Sequence, residues 1–156
     1  FDNDADFEEL KKDYFSHAYG DQWETVVEYL ETIDKLMPQS YLECRHTAPV
    51  PPNFHKPEME ESLLQVSQVC DKYDEIFKAH RNMPYRVQTV SMRLLTEHTH
   101  FCRGYASCMA IKCLGKDAEA KDAAKAFLTE FGKHELAMER YYDHCLMVMA
   151  HKAIFT

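Results

Sequence analysis

Apolar residues recur along most of this chain at spacings of three and four, the period of amphipathic helices, and no segment alternates long enough to make a strand. The first stripe is Phe7, Leu10, Tyr14 and Ala18; the second is Trp23, Val26, Val27, Leu30, Ile33 and Met37, with Gly20 between them. Asp6 precedes Glu9 by three residues and Asp21 precedes Glu24 likewise, a spacing at which the aspartate caps a first-turn N–H while the glutamate reaches back. The pattern predicts helices over 6–19 and 21–37, closed by a left-handed Gly20 and meeting at an aromatic corner of Tyr14, Phe15, Tyr19 and Trp23.

The periodicity stops at Pro38. Residues 38–56 are proline-rich and aperiodic, and they read as a strap held down by Tyr41, Leu42, Val50 and Phe54. Pro57 suits the first position of a helix over 57–81, whose apolar arc is Leu63, Val66, Val69, Cys70, Tyr73, Ile76 and Phe77. In a helix over 84–114, Val87, Leu94, Phe101 and Cys108 repeat every seventh residue beside Leu95, Cys102 and Met109, which predicts that Leu94 and Phe101 are almost fully buried. Gly115 ends it. A last helix over 117–150, bent at Gly132, carries Ala120, Ala124, Phe127, Phe131, Met138, Tyr141, Cys145, Val148 and Met149 on one arc. The reading is all-α: one domain over 1–156, an up-and-down bundle of about five helices with one long proline-rich connecting strap.

With 156 residues, 46% of them hydrophobic, the chain is long enough to bury a core without metal or disulfide. Its formal charge of −8 argues against nucleic acid and anionic membrane as partners, and no apolar run approaches the roughly 20 residues that span a bilayer. The first residue is Phe1, with neither initiator methionine nor signal segment, so a fragment of a longer protein is expected. Cys44, Cys70, Cys102, Cys108, Cys113 and Cys145 form no CxxC pair and read as reduced hydrophobes, which favours a reducing, cytoplasmic setting.

Candidate chemistry is sparse. Glu43 and His46 have the Glu-x-x-His spacing of di-iron bundles but fall in the strap, and no HExxH occurs, so neither metal nor cofactor is expected. The residues nearest to a ligand set are His98, Cys102 and His134. His98 and Cys102 share a helical face from which His100 points away, and a tight turn at 115–116 puts positions whose numbers add to about 231 at one level. His98 and His134 should then come within contact or one-water distance; the alternative is that each is a neutral imidazole bonded to Tyr105, Tyr141 or a carbonyl. Glycine-rich phosphate loops and nucleophile elbows are absent, buried thiols are unreactive, and no catalytic residue is expected. Glu8–Glu9, Glu60–Glu61 and Asp71 with Asp74 and Glu75 read as solvated faces.

The opening hairpin carries a resemblance. The aspartate-rich start at Asp2 to Asp6, the Ala18-Tyr19-Gly20 step, Trp23 and Tyr29-Leu30 resemble the segment that opens the C-terminal helical region of the bacterial family called domain of unknown function 4838. Arg86-Val87 and the following Arg93-Leu94-Leu95 are similar to a later helix of that region, whereas Gln22-Trp23 replaces the family's usual small-residue pair. The resemblance implies a helical region that follows a (β/α)8 barrel of the glycoside-hydrolase kind, with the catalytic carboxylates on the barrel. The expected function is thus a non-catalytic accessory domain of a carbohydrate-active protein, supporting its barrel or mediating dimerisation, with Tyr14, Phe15, Tyr19 and Trp23 as docking or sugar-stacking surface. The alternative is a self-contained bundle that binds a metal or small ligand through buried His and Cys.

Overall fold

A computed structural model describes residues 6–42 and 53–155, and the helices α1 (Phe7–Tyr19), α2 (Trp23–Leu36), α3 (Gln39–Leu42), α4 (Glu60–Ala79), α5 (Arg86–Cys113), α6 (Asp117–Phe131), α7 (Glu135–Met138) and α8 (His144–Phe155) account for most of them. There is no strand among the described residues. The protein is an all-α bundle, and no described helix is long and apolar enough to cross a membrane.

Asp6 caps α1 by accepting the Glu8 N–H at 2.9 Å. Gly20 follows with φ +57° and ψ −137°, a conformation open to glycine because it lacks Cβ. The second predicted box does not form: Gly20–Gln22 make a 3₁₀ turn, and no side chain caps α2. Tightening of the chain at Gly20 replaces the extended residue that Asp21 would need in order to act as a cap.

Helix α5 is the hub, packed against α4, α6 and α1, while α2 closes over α4. Val26, Tyr29, Leu63, Val66, Cys70, Phe77, Met92, Ala106, Met109 and Cys113 are fully enclosed. On α5 the buried stripe is Met92, Leu95, Thr99, Cys102, Ala106 and Met109, at steps of three and four. The heptad expected to be central lies to one side of it: Val87 is 60% exposed, and Leu94 and Phe101 are half-buried. The buried stripe itself repeats every seven residues, as Met92, Thr99 and Ala106 and as Leu95, Cys102 and Met109, so the period alone does not say which column faces the core, and of the predicted column only Cys108 is buried.

Tyr41 and Phe54 anchor the described ends of the strap. Both are buried, their rings meet edge-to-face, and the Tyr41 hydroxyl donates to the Phe54 carbonyl at 3.0 Å. Leu42 is half-buried; Val50, Glu43, Cys44 and His46 lie outside the described residues.

Gly115, with φ +75°, turns α5 into α6, and the Lys112–Asp117 ion pair at 2.7 Å bridges the turn. His55 donates to the same carboxylate at 3.0 Å, and these two bonds hold the Asp117 carboxyl below its ordinary pKa. The antiparallel register is visible in two pairs, Glu97 with His134 and Gly104 with Phe127, whose numbers each add to 231.

The predicted 117–150 helix is three pieces. Helix α6 stops at Phe131; a 3₁₀ turn (Gly132–His134) and the single-turn α7 follow, and Asp143 restarts the chain by accepting the Leu146 N–H at 2.9 Å. Since α5 begins at Arg86, a straight helix in this register would run out of partner near residue 145. Turning back instead buries His151, Ile154 and Phe155, with α8 lying on α6.

Candidate ligand cavity beside α8

The turn-back builds an aromatic chamber. The ring centroid of Phe101 on α5 lies 6.0 Å from Phe127 and 5.7 Å from both Phe131 and His151. Gly104 allows this approach. A Cβ at position 104 would overlap the edge of the Phe127 ring and lie 3.0 Å from its Cγ.

Above these rings a cavity of about 440 Å³ opens between α5, α7 and α8. Its walls are mainly Leu94, Phe101, Phe131, Met138, Leu146 and Ala150, with Tyr141 and Tyr142 from the turn. Leu94 and Phe101 are half-buried because each borders this space. The lining residues that carry a polar side chain are few, Glu97, His98, Tyr141, Tyr142 and Asp143, with no lysine or arginine among the described residues.

His134 does not pair with His98. The residue level with it on α5 is Glu97, and the His134 Nδ1–H donates to the Glu97 carboxylate at 2.8 Å. The His134 ring lies parallel to Phe131, and its nearest imidazole is that of His100, 6.3 Å away. His98 turns the other way, toward α2, where Nδ1 and the Tyr29 hydroxyl hydrogen-bond at 2.9 Å. Its Nε2 is 3.5 Å from the Cys102 sulfur, as the shared face required. Burial lowers the His98 pKa and pushes the Cys102 thiol up to about 12 and Cys70 up to about 11, mainly because a charged form there would lose its hydration. Thiols held protonated in this way are poor nucleophiles at neutral pH. His98, Cys102 and His134 therefore do not converge, and no group of three metal-ligating side chains occurs among the described residues.

Of the predicted aromatic corner, three members meet: Tyr14 and Phe15 at 5.4 Å, Phe15 and Tyr19 at 5.6 Å. Trp23 is half-buried at the start of α2 and shares no ring contact with them among the described residues. Helix α1 has no buried residue, and its apolar stripe points outward, with Phe7 72%, Leu10 56% and Tyr14 66% exposed.

Asp74 is a correction of another kind. It is only 4% exposed, not part of a solvated face. Lys78 pairs with it at 2.6 Å, Thr99 donates to it at 3.3 Å, and His100 lies 3.6 Å away. Arg103 bonds the neighbouring Asp71 at 2.7 Å, so that α4 and α5 are joined by a charged seam beside the core. The cations sit one helical turn from Asp74 on α4 and on the facing side of α5, a relation that spacing within α4 alone does not reveal.

No known protein family, curated protein or solved structure matches the chain.

Proposed function

We propose that this chain is a non-catalytic helical module that binds a small ligand in the cavity beside α8. The observation that carries the reading is the cavity wall: apolar and aromatic over most of its area, with two carboxylates, Glu97 bonded to His134 and Asp143 to the Leu146 N–H, and no lysine or arginine among the described residues. Sites for small molecules have this composition, an apolar container with a few polar groups that orient the guest. The carboxylates Glu97 and Asp143 and the aromatic rings together favour a ligand with an apolar body and one protonated amine. A catalytic role finds no support, because the buried thiols are held protonated and His98 is committed to Tyr29.

The test is titration of the whole chain with 2-phenylethylammonium, read by NMR and thermal melting. Saturable shifts at Leu94, Phe101 and Tyr142 are expected, with stabilisation rising as the logarithm of free ligand beyond the dissociation constant. Replacing Ala150 by tryptophan should abolish them in a protein that still melts cooperatively, and Glu97→Gln should weaken them. Equal binding of phenylacetate would refute the assigned charge preference.

A second reading is favoured by the outward stripe of α1. Phe7, Leu10 and Tyr14 form an exposed apolar face on a helix that has no fully buried residue, as a docking helix would. Together with the resemblance of the hairpin, it supports an accessory domain of a carbohydrate-active protein, docked on a catalytic barrel. Homodimerisation through the same stripe is the other outcome, and sedimentation of the isolated chain separates them. A dimer abolished by Leu10→Asp would assign the stripe to self-association, whereas a monomer that gains affinity for a supplied barrel domain would support docking.

A further inference from the structure

Helix α8 separates two cavities of opposite character. The one already described is lined by Glu97 and Asp143 and by no lysine or arginine among the described residues. The second, of about 380 Å³, opens between α6 and the other side of α8. Leu128, Val148 and Phe155 give it an apolar wall. At its rim stand Lys121 and Lys125, and no aspartate or glutamate lines the space among the described residues. In a chain of net charge −8, this is a local inversion of the average.

Lys121 and Lys125 are four residues apart on α6, a spacing at which like charges repel by a few tenths of a kcal/mol in a bare helix. An anion between them would turn that repulsion into attraction. The back wall is His151, 3% exposed. Its Nδ1–H donates to the Met147 carbonyl at 3.1 Å, which leaves Nε2 as a bare acceptor, and that atom has no hydrogen-bond partner. A polar end therefore closes a largely apolar slot.

We infer that this second cavity binds a free amphipathic organic anion, an aliphatic carboxylate whose chain lies along Leu128, Val148 and Phe155 and whose head sits among the lysines. The burial of the chain supplies affinity, since each enclosed methylene contributes about 0.8 kcal/mol. The lysine rim supplies the choice of sign. The neighbouring cavity repels the same head group, so the two sites sort ligands by charge across one helix. This site is separate from the amine site proposed above, and either can fail without the other.

The experiment uses the intact chain with decanoate, decylammonium and decanol, each below its aggregation threshold, in isothermal titration and NMR. Decanoate should bind saturably, at least tenfold more tightly than decylammonium, with shifts centred on Lys125, Val148 and His151 and not on Leu94 or Tyr142. The double variant Lys121→Gln/Lys125→Gln, on exposed positions, should keep its melting temperature and lose about tenfold in affinity for decanoate, as removal of two surface-type charge contacts implies. Its affinity for decanol should not change, and Leu128→Trp should block both ligands. The proposal is overturned if decylammonium binds as well as decanoate, if a folded chain shows no saturable decanoate binding, or if the lysines matter only for phosphatidylglycerol vesicles and not for the free anion.

Discussion

Gly104→Ala is the most informative single substitution in this protein. Alanine is the better helix former by about 1 kcal/mol, so at an open interior position of α5 the change would stabilise. Position 104 is not open. The new methyl would overlap the edge of the Phe127 ring, which would have to retreat by more than an ångström to restore ordinary carbon–carbon contact near 3.5–4.0 Å. The ring has little room, because Phe101, Phe131 and His151 hold it at centroid distances of 6.0, 5.6 and 5.7 Å. Overpacking of this kind costs about 1–3 kcal/mol, and a rigid ring boxed on three sides belongs at the upper end. Set against the propensity gain, a net loss of about 2 kcal/mol is expected, read as a lower urea midpoint with an unchanged slope. Phe127→Leu in the same background should recover part of it, since a smaller side chain vacates the space, and the double-mutant cycle isolates that coupling. A Gly104→Ala protein as stable as the parent would refute the packing of α6 on α5 described above.

Met92→Ala should cost about 2–5 kcal/mol, but Leu94→Ala much less, because Leu94 already borders empty space; urea denaturation of the pair checks which face of α5 is buried. Burial lowers the pKa of His98 and His151, so the unfolded chain takes up protons first as pH falls, and stability present above about 6.5 is lost progressively below it; His151→Gln should flatten the slope of melting temperature against pH. Under native conditions iodoacetamide should modify the exposed Cys145 well before Cys70, Cys102 and Cys108, which mass spectrometry of tryptic peptides reads directly.

Most of the bundle was legible from period and punctuation. The stripes of α2 and α4, the stops at Gly20 and Gly115 and the level of α5 against α6 are local signals that the folded chain respects. What the sequence concealed was relational. Lys133 to Arg140 is rich in good helix formers, so nothing local announces that the long helix is cut there to a 3₁₀ turn and the single-turn α7; the end of α5 decides it. The bend at Gly132 falls where α6 ends, but the second break, which Asp143 caps, went unread although aspartate is a readable cap. The level of His134 was right and its partner was one residue off, because a side chain's level does not determine its direction. The cavity was invisible, since an apolar residue facing a void and one facing a neighbour are written alike.

Helix α8 has a kinetic consequence. It lies between two cavities, and three of the four buried side-chain atoms without a hydrogen-bond partner among the described residues, Tyr142 Oη, His144 Nδ1 and His151 Nε2, belong to it and to the turn before it. Releasing it exposes fewer buried side chains, His151, Ile154 and Phe155, than releasing α4 or α5 would and lets those groups reach water, so its amides should exchange with deuterium through a local opening, ahead of those on α4 and α5. The part of the chain that shapes both candidate sites is then also its least protected segment. Guest entry requires only that one helix lift, while the hub beneath it stays folded.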